Sequence, residues 1–422
     1  MGKPVRVFAI VAVAALGIAA CGGGSDSDSS GSDGGGKTLV IASELPLQGS
    51  SADASTDTNN MIKVYLESIG NKAGDYNIEL KEYDNSTATA GQWDAATCTA
   101  NAQKHVAAAN EVAVMGAYNS GCSKLLAPVL NQDPKGPMLE VSHASTNTGL
   151  TKAADPGEPE LYAPSGKKSF ARVTTTDDVQ GTAAADFASE TLKVKKCYIL
   201  NDNQTYGQGI AKAFEARAKE VGIEVVANEP YDEKATNYTA LFEKIKATNP
   251  DCLYVGGIYD VNGGQLLKDK VSVLGDNETV KMMAPDGWTG YPALDAQKES
   301  EGLYATFTGL ATAQLEEQGG AAAALLKAYQ EKYGSAPRTN YALYGAAAVQ
   351  VIVEAIEKSD GTKKGVRDAV FEGEGIKVPA EESATGKEIV IDPATGDTTA
   401  KDVSVLIGKD GKQTFVQAQA VE

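Results

Sequence analysis

The sequence predicts an α/β protein made of two doubly wound, parallel-sheet lobes joined by a three-stranded hinge. Three observations predict it. From Thr38 onward, strand-like and helix-like runs alternate in βαβα fashion. The alternation restarts after a stretch rich in Pro, Gly and Lys at residues 153–169. The roughly 385 residues beyond Thr38 exceed what one hydrophobic core usually serves.

The chain begins before that fold. Lys3 and Arg6 precede an apolar run at residues 7–20. A run of about 14 residues suits a secretory signal and is too short to span a bilayer. Ile18-Ala19-Ala20-Cys21 resembles the bacterial lipobox, which makes residues 1–20 a lipoprotein signal peptide and Cys21 the lipidated residue. Residues 22–36, GGGSDSDSSGSDGGG, hold no apolar side chain to bury and read as a tether with a reach of roughly 20 Å. Residues 21–37 thus form a lipidated cysteine and linker, and the expected location is the outer face of a bacterial cell membrane. An ordinary signal peptide followed by a chance cysteine is the alternative.

The first series of elements reads as strands at 38–45, 78–85, 112–118 and 138–142, with helices at 58–68, 93–109 and 123–130. The second reads as strands at 197–201, 224–227, 252–256 and 280–284, with helices at 179–192, 209–221, 238–247 and 263–274. Beyond these lie a strand at 304–308, helices at 321–333, 341–358 and 364–371, and strands at 388–392 and 403–408. The expected division is lobe one at 38–172 plus 305–395 and lobe two at 173–304 plus 396–422. A doubly wound sheet takes its ligands at the carboxyl ends of its strands, so two such sheets face each other across a cleft.

Composition excludes several partners. The formal charge of −18 falls by two further units once Lys3 and Arg6 are removed, and such a surface repels nucleic acid and anionic lipid. Five cysteines are odd in number, and Cys21 accounts for the odd one. Cys98, Cys122, Cys197 and Cys252 are expected to pair in an oxidising compartment. Of the three pairings open to them, Cys98–Cys122 with Cys197–Cys252 keeps each bridge within one lobe; free buried thiols are the alternative. With no CxxC, neither a zinc clamp nor thioredoxin-type chemistry is indicated.

Catalytic signals are sparse. His105 and His143 are the only histidines, and GxSxG, HExxH and a Walker A loop are all absent. Tyr206-Gly207-Gln208-Gly209 follows a strand but lacks the third glycine of the dinucleotide fingerprint. No cofactor or metal is expected. What recurs is small and hydroxylated residues at strand ends: Gly116-Ala117-Tyr118-Asn119-Ser120-Gly121, then Ser142-His143-Ala144-Ser145-Thr146-Asn147. Backbone N–H groups at a helix start beside a hydroxyl suit a carboxylate. On the second lobe Asp286 follows a strand and suits an ammonium. Singly, each residue also reads as ordinary capping or turn chemistry.

In combination these segments resemble the extracellular solute-binding proteins of the branched-chain amino acid uptake family, partners of ATP-driven importers, with the periplasmic-binding-protein type I fold. The resemblance spans about residues 38–412. It rests on Thr38-Leu39-Val40-Ile41 with Leu45-Pro46-Leu47-Gln48-Gly49, and on Gly136-Pro137-Met138 through Thr146 with Leu150-Thr151. It rests further on Phe170-Ala171-Arg172-Val173 with Asp178-Val179-Gln180-Gly181, on Asn201 to Gly207, and on Tyr254-Val255-Gly256-Gly257. It implies that Ser120, Ala144 and Thr146 grip the ligand's carboxylate and amine, with Ser145 beside them in the ligand-binding set, and that Asp286 meets the ammonium. It also implies that Tyr206 closes over the ligand, that Tyr118 stands near the side-chain pocket, and that Tyr259 or Ile258 lines another wall. The loop at 50–58 matches poorly, so its ligand contact stays unassigned.

The expected function is therefore capture of a small amino acid-like solute by a lipid-anchored, monomeric protein that delivers it to membrane permease subunits. An extracellular sensor using the same cleft is one alternative. An exported hydrolase built on His143 is another.

Overall fold

The computed structural model describes residues 37–419 and 421. The signal, Cys21 and the tether lie outside the described residues.

Six strands form the first sheet: β1 (Thr38–Leu45), β2 (Lys72–Ala73), β3 (Tyr76–Asp84), β4 (Glu111–Gly116), β5 (Leu139–Ser142) and β6 (Phe170–Arg172). Their order is β2-β3-β1-β4-β5-β6, parallel except for the β2–β3 pair. The second sheet begins with β7 (Lys196–Asn201), β8 (Glu224–Pro230), β9 (Cys252–Gly256), β10 (Lys281–Ala284) and β11 (Tyr304–Phe307). A separate two-stranded ribbon pairs β12 (Ile376–Val378) with β13 (Ile389–Ile391). Then β14 (Val403–Lys409) and β15 (Lys412–Gln419) join the second sheet, giving the order β15-β14-β11-β10-β9-β7-β8. Strands such as β4 and β9 are buried along their whole length, as expected where helices cover both faces of a parallel sheet.

The first lobe carries α1 (Ala52–Ser68), α2 (Ala95–Ala107) and α3 (Ser120–Asn131). The second carries α4 (Asp177–Glu190), α5 (Thr205–Glu220), α6 (Thr239–Ala247), α7 (Gly263–Leu274) and the one-turn α8 (Pro292–Asp295). The chain then returns to the first lobe with α9 (Thr312–Gln318), α10 (Gly320–Tyr333), α11 (Tyr341–Glu357) and α12 (Lys363–Phe371). Each lobe has one large apolar core, with three smaller apolar clusters besides. α11, apolar on nearly every face, runs through the large core of the first lobe. The chain passes between the lobes at residues 173–176, 308–311 and 392–402.

The second passage corrects an expectation. Residues 305–307 belong to the second sheet, because β11 pairs in parallel with β10 and antiparallel with β14. The return to lobe one therefore follows Phe307, and the last passage ends where β14 starts at Val403. β15 escapes the sequence reading because its pattern is polar; as an edge strand it buries little. α1 begins six residues before the expected 58. Its polar first turns are stabilised from the far end of the chain: Asp57 accepts from Tyr329 OH at 2.7 Å and from Arg338 Nε at 2.8 Å. The cysteines join as Cys98–Cys122 and Cys197–Cys252, one bridge in each lobe.

Candidate functional site

The first-lobe wall grows from two strand ends. After β4 the chain runs Ala117-Tyr118-Asn119 into α3. The Asn119 carbonyl accepts the N–H groups of Cys122 (2.9 Å) and Ser123 (3.1 Å). The N–H groups of Ser120 and Gly121 precede those first helical bonds, where a helix start favours an anion. After β5, the Ser142 hydroxyl donates to Ala117 O at 2.7 Å and accepts the Ser145 N–H at 2.8 Å, folding the loop back on β4. Ser120 Oγ accepts the Asn147 N–H at 3.2 Å, which ties the two loops together.

Arg172, at the end of β6, fixes the second loop from behind. It is fully buried. Its Nε donates to Asp397 Oδ1 at 2.7 Å, and its Nη1 to the carbonyls of Ser145 (2.8 Å) and Asn147 (2.9 Å). The guanidinium's rigid fork lets one side chain meet a carboxylate and two carbonyls at once.

The second-lobe wall follows β7, β9 and β10. Asp286 lies just past β10 and is buried. Tyr206 OH donates to its Oδ1 and Tyr341 OH to its Oδ2, both at 2.6 Å. Burial pushes the Asp286 carboxyl above its ordinary range, while the two tyrosine hydroxyls pull it back. Gly287 is a steric requirement here, since a Cβ would lie 2.5 Å from Gly257 O and 3.1 Å from the Tyr206 ring.

Between these walls Tyr118, Asn119, Ser120, Ala144, Tyr206, Ile258, Asp286, Gly287 and Tyr341 converge on a small, nearly closed cavity. Contacts across the cleft hold the lobes together around it. Trp93 Nε1 donates to Gln204 Oε1 at 3.1 Å, Asn147 Nδ2 to Thr205 O at 3.3 Å, and Lys212 pairs with Asp155 at 3.3 Å. Ser51, at the start of α1, donates to Asp260, which also accepts from Tyr291 OH at 3.2 Å. The poorly matched loop at 50–58 is thus a point of lobe-to-lobe contact.

Of the residues expected from sequence, Tyr118, Ser120, Ala144, Tyr206 and Asp286 meet in the cavity wall. Ser145 does not; its hydroxyl turns inward to Ala117 O at 3.0 Å and to Ser123 Oγ at 2.9 Å. Thr146 does not line the cavity; it is fully buried in the loop after β5, its carbonyl accepting the Asp177 N–H at 2.9 Å. Tyr259 does not line the cavity either. Its ring packs on Trp288 and Tyr291, and its hydroxyl donates to Gln297 Oε1 at 3.1 Å. Ile258 takes the wall position instead. Tyr341 and Asn119 were not among the expected residues.

His143 carries no sign of hydrolytic use. Both ring nitrogens are buried and unpartnered, its neighbours are the rings of Tyr118 and Tyr341, and burial holds its pKa down at about 3. His105 is a structural bridge, with Nδ1 2.9 Å from Glu111 and Nε2 3.1 Å from Glu44.

Comparison with known proteins agrees with this fold. The sequence model of a family described as periplasmic binding protein matches residues 38–396. A Leu/Ile/Val-binding protein of Rhizobium johnstonii is 29% identical over 313 residues, covering 73% of this chain and 77% of that protein. A leucine binding protein from Thermotoga maritima superimposes with a TM-score of 0.73 at 23% identity, covering 90% of this chain and 98% of that one. A solute binding protein of an ABC transporter from R. palustris, in complex with 4-hydroxybenzoate, gives a TM-score of 0.76 at 18% identity over 90% of this chain and 97% of its own. At these identities the two structural likenesses speak for the fold.

Proposed function

The chain belongs to the periplasmic binding protein family, and from that premise we propose that it is the membrane-tethered solute-binding component of an ATP-driven importer, capturing a small amino acid or related solute between its lobes. Members of this family bind solutes without transforming them; this chain is a solute-binding protein and not an enzyme. The observation that carries the proposal is the cavity itself. Helix-start N–H groups on one lobe face a carboxylate on the other, which suits the two ends of a zwitterion. The likeness to the Rhizobium Leu/Ile/Val-binding protein supports an amino acid over other solutes.

In this reading the first lobe supplies Ser120, Ala144 and Tyr118, the second supplies Tyr206, Ile258 and Asp286, and closure buries the ligand. A permease accepts the closed form. Cys21 keeps the protein at the membrane, and an acyl-chain label lost in Cys21→Ala, with release of the protein from membranes, tests that anchor. The ligand class is tested by thermal shift across amino acids, short amides, urea-like compounds and aromatic acids. A ligand at 1,000 times its Kd should stabilise by about 4 kcal/mol. Response to an aromatic acid and to no amino acid would replace the ligand class and leave the fold intact. Turnover of any bound compound would refute the binding role.

A further inference from the structure

Glu140 lies on β5, beneath the loops that build the first-lobe wall, and takes no part in lining the cavity. It is buried, level with Val114 on β4 and Phe170 on β6. Its Oε1 accepts the Ala117 N–H at 3.3 Å, and Ser123 Oγ accepts the same N–H at 3.2 Å. Ala117 leads from β4 into Tyr118, Asn119 and Ser120 of the cavity wall, and Ser123 lies in the first turn of α3. The carboxyl group thus sits under both ends of the segment that presents the helix-start N–H groups.

The hydroxyl protons around it are already committed. Ser142 and Ser145 each donate to Ala117 O, at 2.7 and 3.0 Å. With its proton spent, Ser145 Oγ accepts from Ser123 Oγ at 2.9 Å. A hydroxyl carries one proton, so Ser123 has none left to give to Glu140, though its oxygen can still accept. Glu140 Oε2 has no partner. Among the described residues, the basic groups on the elements packed around β5 are paired elsewhere. Lys124 of α3 pairs with Glu158 at 2.6 Å, and Arg172 of β6 with Asp397 at 2.7 Å. On the far face of the sheet, α12 gives Lys363 to Asp133, Lys364 to Asp368 and Arg367 to Glu372, while α11 carries Tyr341, Tyr344, Glu354 and Glu357 and no basic residue. His143, beyond the end of β5, is uncharged. On β4, Glu111 is bound to His105, as is Glu44 on β1, and Glu44 acts on Glu140 as a like charge. A buried carboxylate in such a place is costly. A neutral carboxylic acid is not, and it supplies the one O–H that the Ser123 oxygen can take.

We propose that Glu140 is a positioning residue for the anion end of the cleft, held as the neutral acid so that it orders Ala117 and Ser123 beneath a ligand carboxylate without placing a second negative charge under it. This rests on the solute-binding reading above and adds to it a dependence on pH. Burial pushes the carboxyl up to about 8; hydrogen bonds with Ser123 and Ala117 oppose burial, and the Glu44 charge reinforces it. The neutral form suits an anionic ligand group. Affinity is therefore complete below about pH 8 and falls as pH rises past it, and binding near that pH takes up a proton. Once ionised, Glu140 no longer donates to Ser123, and its charge works against the helix-start N–H groups.

The test uses the full chain and calorimetric titration with L-leucine from about pH 6 to about pH 9, on wild type, Glu140→Gln and Glu140→Ala. Wild-type affinity should fall by up to about tenfold per pH unit past the Glu140 titration, as for one linked proton. Glu140→Gln keeps a donor and an acceptor without a charge. It should recover most of the affinity that Glu140→Ala loses at neutral pH, and it should remove the alkaline fall. Titration of leucine's own amine and of other groups in the cleft is common to both proteins, so the difference between the two profiles reports Glu140. An infrared difference spectrum of wild type against Glu140→Gln at neutral pH should show the C=O band of a protonated carboxyl, with no ligand needed. If Glu140→Ala does not fold, the two profiles and the band carry the test. Parallel profiles, or a carboxylate band in place of the acid band, would overturn the inference and leave the solute-binding reading standing. If leucine does not bind, the solute with the largest response in the thermal-shift panel takes its place. A panel whose binders all lack a carboxylate would overturn the inference alone, and a panel with no binder would sink both.

Discussion

Tyr341→Phe and Tyr206→Phe remove the same atom from the same acceptor at the same distance, 2.6 Å from Asp286. They should nevertheless act on different equilibria. Tyr206 and Asp286 both belong to the second lobe, so their bond persists whether the lobes are together or apart. Tyr341 projects from the start of α11 in the first lobe, so its bond forms only on closure. A hydrogen bond to a charged group contributes about 1.5–3 kcal/mol net. Losing it in the closed state alone lowers the closed-to-open ratio by roughly 10- to 100-fold, and weakens ligand binding in proportion where closure limits affinity. The loss should grow as pH rises and Asp286, whose pKa burial raises, gives up its proton. Closure is measurable by small-angle scattering and by tryptophan emission, because Trp93 bonds Gln204 across the cleft while Trp288 stays buried in the second lobe. Equal shifts of the closed fraction in the two variants, or none in Tyr341→Phe, would refute the reasoning.

Arg172→Met should destabilise the folded chain by about 3 kcal/mol, because Asp397 keeps only the longer pairing with Lys152 at 4.0 Å and the carbonyls of Ser145 and Asn147 lose their buried donor; urea unfolding measures this. Around His105, burial would push Glu111 up, but hydrogen bonds from His105, Tyr83 and Lys81 outweigh it and hold Glu111 at about 2. That depressed carboxyl contributes about 3 kcal/mol above its ordinary pKa, lost as pH falls from about 4.5 towards 2. The His105 contribution has the opposite sense. Burial opposes its charge, hydrogen bonds to Glu111 and Glu44 prevail, and its pKa is raised, so the gain is complete below the ordinary histidine range and fades as pH rises past the folded value. His105→Gln should remove that alkaline-side loss from the urea midpoint measured against pH. The disulfides span 24 and 55 residues, so loop entropy gives about 3 kcal/mol for Cys98–Cys122 and about 4 for Cys197–Cys252. Paired serine replacements should lower the guanidinium midpoint in that order.

How far the cleft is legible in the sequence depends on which physical rule places each residue. Tyr118, Ser120, Ala144 and Asp286 are legible because ligands gather at the carboxyl ends of parallel strands, and small hydroxylated residues after an apolar run mark those ends. Tyr259 fails for a local reason. Beyond β9, at Gly257 and Ile258, the chain leaves the regular strand, and a shift of one residue turns a side chain from the cleft to the core.

Tyr341 exposes the deeper limit. Its helix reads as a buried apolar element, and α11 is one, so neither composition nor periodicity distinguishes its first residue from the others. What makes Tyr341 functional is a partner 55 positions away on the opposite lobe. Each lobe's half of the cleft is written locally, in the segments that end its own strands. The bonds that distinguish closed from open join segments brought together only by the hinge passages, and no local pattern specifies them. A binding protein of this design therefore announces its ligand-gripping loops in sequence while leaving its closure contacts silent. That is why the Tyr206 and Tyr341 variants, alike in chemistry and unlike in topology, separate ligand recognition from lobe closure.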